Sequence, residues 1–257
     1  MIQISFLDYI SDENENVCSV PFIMNGTILD KKACLTLASA GSMRFRWNEQ
    51  NVNRAVFFGN KKVVPLELIH SQEVITVSEQ FDTKNKRADG IISKNAQLTP
   101  VITVADCMPI YLYDNKSGCF GVLHSGWKGT GIVGKAIEKA EFCYGAKPGN
   151  FSVILGPHIH SCCYTVDQER VSYFSTHFSP SCISEENHLS LIEANLVVLE
   201  HSGVLSENIQ VSTDCTCCSM GDKNPFGSFR RQTSFLPSDI PLEERLLHFS
   251  PMAAFVS

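Results

Sequence analysis

The sequence lacks any apolar run near the roughly 18 residues that a membrane-spanning helix needs. It is also short of positive charge, with 21 Lys and Arg against 27 Asp and Glu and a formal net charge of −6. That balance suits neither non-specific nucleic-acid binding nor adhesion to anionic membranes. The first ten residues, MIQISFLDYI, contain no basic stretch, and Asp8 interrupts their apolar run. No secretory signal is therefore expected. There is no repeat at solenoid periods, no low-complexity tract and no coiled-coil heptad. What remains is a 257-residue chain, 44% hydrophobic and 19% charged, able to bury a sizeable core rather than stay disordered.

Cysteine, by contrast, is plentiful. There are 11, an odd number, including the adjacent pairs Cys162-Cys163 and Cys217-Cys218. A chain this long has no need of disulfides as staples, and bridging neighbours strains the peptide between them. A reduced, cytoplasmic protein is expected, with most thiols packed as small hydrophobes and room for one functional thiol.

Patterning predicts interleaved helices and antiparallel strands. Residues 100–104 and 110–113 form β-branched or aromatic runs, 114–118 reads as a turn, and 119–124 is a further strand. The last two strands predict a hairpin. Ile132, Val133, Ala136, Ile137 and Ala140 share one helical face within 130–144, and Gly145 marks the end. Residues 151–155 read as a strand stopped by Gly156-Pro157, 189–201 as a second helix, and 209–211 as a short strand. The polar stretches 78–95 and 216–225 read as surface loops. The expected class is α+β, with mixed β-sheets flanked by helices. No linker divides residues 1–257, so a single domain is expected.

Three side chains stand at the ends of apolar strands. They are His70 after 63–69, Cys107 after the strand ending at Val104, and His124 at the close of 119–124. Cys and His are the preferred ligands of Zn²⁺, and three protein ligands leave the fourth position open, the catalytic arrangement. Their gaps of 37 and 17 residues match no compact ligand motif, so spacing alone favours buried structural residues over a metal site.

The words around these residues are more informative. His70-Ser71-Gln72, Ala105-Asp106-Cys107-Met108-Pro109 and Leu123-His124-Ser125-Gly126-Trp127-Lys128-Gly129-Thr130 occur in that order. They are followed by Gly156-Pro157 with Cys162-Cys163-Tyr164-Thr165-Val166, and by Asp214-Cys215-Thr216 with Ser228-Phe229-Arg230-Arg231. In these words, over about residues 53–231, the chain resembles the YfiH/YlmD/LACC1 family, long described as laccase-domain or polyphenol oxidase proteins. The resemblance implies a YfiH-like fold and a mononuclear zinc site of His70, Cys107 and His124, with copper less favoured. It also implies phosphorolysis of adenosine, inosine, guanosine and methylthioadenosine, together with adenosine deamination. The partners are then purine nucleosides and phosphate, with no nucleic acid and no membrane. Bacterial relatives are also tied to peptidoglycan editing. Multicopper chemistry needs several His-x-His pairs; this chain has one, His158-Ile159-His160, among eight His.

Roles follow from that assignment. One thiolate and two imidazoles on Zn²⁺ leave a net charge of about +1, enough to acidify a bound water towards roughly 7 for attack on purine C6. Cys107, His124 and Asp106 are the candidate catalytic residues. Asp106 either supports a ligand or serves as a structural hydrogen-bonding group. Lys128, close to the start of the 130–144 helix, is a candidate phosphate ligand, as are Arg230 and Arg231. Arg54 matches a family Asn-Arg word, with either a substrate-binding or a structural role, and Trp127 reads as a packing anchor. The family's Arg and Tyr are replaced by Lys128 and Phe229, and His158 and His160 stand where the family word has small or apolar residues. Cys215, Cys217 and Cys218 offer thiols without a partner spacing that marks a metal site. Two rival functions use the same residues: a muropeptide-editing hydrolase, and a metal-free hydrolase with Cys107 as nucleophile and His124 as base.

Overall fold

The predicted hairpin forms the middle of the molecule. Strands Met108–Asp114 and Cys119–Ser125 pair antiparallel, in a register that sets His124 opposite Pro109 and Ser125 opposite Met108. The Asp114 carboxylate accepts the Lys116 amide at 2.9 Å, and Gly118 closes the turn at φ 74°. All residues of both strands are buried. Alternation along a strand sends successive side chains to opposite faces, so each face needs its own cover.

The structure is a computed structural model and describes residues 1–11, 14–237 and 239–257. The hairpin sits within a seven-stranded mixed sheet. Its strands run in the order Ile2–Ile4, Ile209–Ser212, Phe151–Leu155, Met108–Asp114, Cys119–Ser125, Gly90–Ser93, Val74–Val77. On one face, Ile110, Leu112 and Leu123 pack against Ile132, Val133 and Ile137 of helix Ile132–Tyr144, with helices Gln168–His177 and Leu191–His201 behind. On the other face, Tyr111, Tyr113, Phe120 and Val122 meet Phe22, Leu35, Ile102 and Ala254 of a second sheet. That six-stranded sheet runs Ile10–Ser11, Asn14–Met24, Thr27–Thr36, Met252–Val256, Leu98–Val104, Lys62–Pro65. The arrangement is sheet, sheet and helices, and the α+β expectation holds. Among the described residues no helix is long and apolar enough to cross a membrane.

The strand read at 100–104 lies in the second sheet, packed face to face with the hairpin rather than paired with it. One expectation needs correction. The stretch 78–95 is not all loop: Gly90–Ser93 is a fully buried strand, and Asp89 before it is buried as well. The long hairpin Asn14–Met24/Thr27–Thr36 is absent from the sequence reading, although Asn25-Gly26, at φ 48° and 75°, is its turn signal.

The site is assembled at one end of the large sheet. Phe151–Leu155 and Ile209–Ser212 are parallel neighbours, and their carboxyl ends open toward the entry to strand Met108–Asp114, where the Gly156 amide donates to the Pro109 carbonyl at 2.9 Å. In open sheets ligands bind outside such strand ends.

Candidate metal centre and active site

Strand register brings two of the three candidate ligands together. Cys107 immediately precedes Met108, and Gly126 immediately follows Ser125, its partner. A Cβ on Gly126 would lie 2.7 Å from Cys107 Sγ, so only glycine lets the thiol reach this position. His70 enters from the loop ahead of Val74–Val77. The ligand atoms of His70, Cys107 and His124 all lie within 4.8 Å of one another, and the two imidazole rings stand edge to face with centroids 5.0 Å apart. His70 is exposed, Cys107 half-buried and His124 buried. The three side chains therefore converge, His70 from a loop beyond strand Lys62–Pro65 rather than from a strand end.

Asp89 holds the cluster together, and it was missed. Its buried carboxylate meets His124 Nδ1 at 2.9 Å and accepts the His70 amide at 2.9 Å. It also accepts the Ser71 amide and hydroxyl, each at 2.7 Å. The His124 amide donates to the Asp89 carbonyl at 2.7 Å. A carboxylate on Nδ1 places that proton between His124 and Asp89 and leaves Nε2 for the cluster. His70, at φ 58°, is in a left-handed conformation that the Asp89 contacts maintain. The hint in the sequence was the Asp89-Gly90 pair ahead of an apolar run, which reads equally well as a turn.

The electrostatics match this geometry. Burial pushes the Cys107 thiol up, but His124 and His70 outweigh it and draw the thiol down to about 6. Burial opposes a charge on His124, yet Cys107 and Asp89 raise its pKa to about 10. Asp89 resists its own desolvation because His124 and Ser71 hold it below its usual value. Metal-free, the site is a thiolate–imidazolium pair backed by a carboxylate.

These groups form the floor of a cavity of about 450 Å³. Its walls include Phe45, Trp127, Tyr164, Phe229 and Phe249, and four arginines line it: Arg44, Arg46, Arg170 and Arg230. Arg170 lies over the Trp127 ring at 4.8 Å.

A family model described as multi-copper polyphenol oxidoreductase laccase matches residues 42–235. The chain belongs to this family. A mouse protein named purine nucleoside phosphorylase LACC1 is 32% identical over 66% of this chain and 42% of its own length. A protein named adenosine deaminase RL5, from an unknown prokaryotic organism, is 32% identical over 63% of this chain and 67% of its own. The chain thus matches less than half of the mouse relative. The crystal structure of YlmD from Geobacillus stearothermophilus superposes with TM-score 0.75 at 25% identity, covering 92% of this chain and 96% of that one. The Bacillus licheniformis YfiH structure gives 0.72 at 24%, covering 88% and 92%. The YfiH-like fold read from the family words is therefore correct.

Several expected site residues fall elsewhere. The Asp106 carboxylate is taken up by the Thr216 hydroxyl at 2.7 Å and the Arg230 amide at 2.6 Å. It lines the cavity, but its hydrogen bonds go to the loops around it, and the carboxylate that meets His124 is Asp89. Lys128 is exposed, its Nζ 5.3 Å from the centre of the Trp127 ring, and does not line the cavity. Neither do Gly131 and Ile132, so the helix start is not directed at the site. Arg231 donates to the carbonyls of Thr216, Cys217, Asn224 and Phe226, which makes it a loop anchor rather than a clamp. Arg54 stacks over Phe45 at 4.2 Å behind the cavity wall. Of the expected phosphate ligands only Arg230 lines the cavity. Arg44, Arg46 and Arg170 were not foreseen, because lone arginines in polar context look like solvated surface. His158 is buried and His160 half-buried, with rings 4.4 Å apart, and burial pushes both below their usual value.

Proposed function

We propose that this chain is a zinc-dependent purine nucleoside phosphorylase, acting on adenosine, inosine, guanosine and methylthioadenosine, that also deaminates adenosine. The observation that carries the reading is the convergence of His70, Cys107 and His124 on the floor of an aromatic cavity lined by four arginines. The donor set fits zinc: one sulfur already inclined to ionise, two imidazoles, a carboxylate behind one of them, and an open side facing the cavity. Bound there, zinc would supply positive charge and an open coordination position.

The chain's own residues account for the rest. Asp89 fixes the His124 tautomer and orientation. The aromatic walls take the purine and ribose, within a volume typical of small-molecule sites. Arg170 and Arg230 provide planar donor forks for phosphate. In phosphorolysis a phosphate oxygen bonds to ribose C1′ while the bond from C1′ to purine N9 breaks, and N9 takes up a proton. Guanidinium groups with free donors stabilise phosphate as it attacks. The names of the relatives support the same activity.

The depressed Cys107 thiol supports a second reading. Cys107, His124 and Asp89 stand in nucleophile, base and orienter order, which suits a metal-free hydrolase. Incubating adenosine with and without phosphate, before and after chelation, separates the two. Adenine and ribose 1-phosphate should appear only with phosphate and metal, and inosine should accumulate without phosphate. Turnover that survives complete metal removal would favour the thiol hydrolase. No nucleoside turnover, with cleavage of a mis-built muropeptide precursor, would move the function to peptidoglycan editing.

A further inference from the structure

The molecule carries a second group of sulfur atoms that the site above does not use. Cys162 and Cys163 follow strand Phe151–Leu155, and Cys215 and Cys218 follow its parallel neighbour Ile209–Ser212. The loops leave the same end of the sheet and are bridged where His158 pairs with Cys215 and the Thr216 amide donates to the His158 carbonyl at 3.0 Å. Residues 56 positions apart thereby become neighbours, with Cys162 Sγ 3.5 Å from Cys218 Sγ. All four sulfur atoms lie within 4.8 Å of one another. No partner spacing marks the group in the sequence, because Cys162-Cys163 and Cys215-x-x-Cys218 are half-sites that follow separate strands.

We infer that Cys162, Cys163, Cys215 and Cys218 form a second metal site, a four-sulfur structural centre for Zn²⁺. Four thiolates at the usual Zn–S distance of about 2.3 Å form a tetrahedron with edges of about 3.8 Å, within the spread these sulfurs already show. Cys217, between the two knuckle residues, is not part of the group. Cys215 Sγ accepts the His160 amide at 3.4 Å and is also approached by the Cys217 and Cys218 amides. Convergent amides favour a negatively charged sulfur. Cys215 is buried and Cys163 half-buried, while Cys162 and Cys218 are exposed, so the ion can enter from solvent onto an anchored sulfur. Tetrahedral zinc sites closed by four thiolates are structural rather than catalytic.

The centre would brace the wall of the cavity. Thr216, inside the knuckle, donates its hydroxyl to Asp106 at 2.7 Å. The Ile159 amide donates to the Asp106 carbonyl at 2.9 Å. Asp106 is held at φ 78° beside Cys107, and its carboxylate also receives the Arg230 amide. Joining 162–163 to 215–218 therefore fixes the two loops that set Asp106 and Arg230.

The test is zinc stoichiometry of the full chain, purified reduced and without oxygen, compared with Cys215→Ser and Cys162→Ser. Each variant should hold one equivalent less than the parent, whatever occupies the other site. Cobalt loaded into a His70→Ala chain should give the intense thiolate charge-transfer bands of a sulfur-rich tetrahedral ion, and Cys215→Ser should abolish them. Cys162 is exposed, so its replacement keeps the comparison open if Cys215→Ser does not fold. Equal zinc in parent and variants would overturn the assignment. So would a Cys162–Cys218 disulfide in a chain that takes up no metal at these residues after reduction.

Discussion

The Asp89 carboxylate touches both histidines of the cluster, His124 through its ring and His70 through its amide. Asp89→Asn keeps the shape but removes the charge and allows the wrong His124 tautomer. Loss of such a supporting carboxylate typically weakens metal binding 10–100-fold, and zinc competition against a chromophoric chelator should show a drop of that order with unchanged circular dichroism. Gly126→Ala should be comparably severe at the centre, since its methyl group would occupy space within 2.7 Å of Cys107 Sγ. The pH dependence follows from His124. Its metal-free pKa is raised to about 10, so at neutral pH it carries a proton that a metal must displace, whereas Cys107, at about 6, has already lost its own. Zinc affinity should therefore rise about tenfold per pH unit between about 6.5 and 10, with one proton released per ion. Calorimetry in buffers of different ionisation enthalpy counts that proton, and a pH-independent affinity would contradict the assignment.

At the scale of elements, the short helix Phe229–Gln232 carries two adjacent arginines with different duties. Arg230 lines the cavity, and Arg231 is spent on four carbonyls of the loop that precedes it. Arg230→Ala and Arg170→Ala should each weaken phosphorolysis by about 1.5–3 kcal/mol, the scale of a charge-assisted hydrogen bond, with deamination less affected because it uses water. Lys128→Ala should leave kcat/KM for both reactions within error. Arg231→Ala should act on stability instead, lowering the urea midpoint by the equivalent of about 2–3 kcal/mol. Adjacent arginines look alike in a sequence. What separates them here is a turn of about 100° around a helix that points one side chain at the cavity and the other at backbone carbonyls.

At the scale of the whole molecule, the two sheets are coupled through Tyr111. Its buried hydroxyl, reaching from the central strand of the large sheet, donates to the Cys34 carbonyl in the second sheet at 3.1 Å. Tyr111→Phe removes that donor and should cost about 0.5–1.5 kcal/mol. Tyr111→Ala also opens a cavity between the sheets and should cost about 3–5 kcal/mol. Urea unfolding of the two variants distinguishes the terms.

Local signals sufficed for the central hairpin and the helix Ile132–Tyr144, because each rests on periodicity or a turn residue, and short family words were enough to single out His70, Cys107 and His124 as candidates. The partners of those elements were decided only by tertiary packing. Whether strand Leu98–Val104 joins one sheet or the other depends on Met252–Val256, nearly 150 residues away, pairing beside it. Asp89 becomes a ligand's support only when Gly90–Ser93 pairs with Cys119–Ser125 and carries it under His124. The cavity arginines come from three separate segments, around 44–46, 170 and 230, and the four-cysteine cluster comes from the loops after two parallel strands. Local sequence patterns specify which stretches become strands and helices. Long-range hydrogen bonding and burial specify which side chains meet, and here the chemistry lies in those meetings.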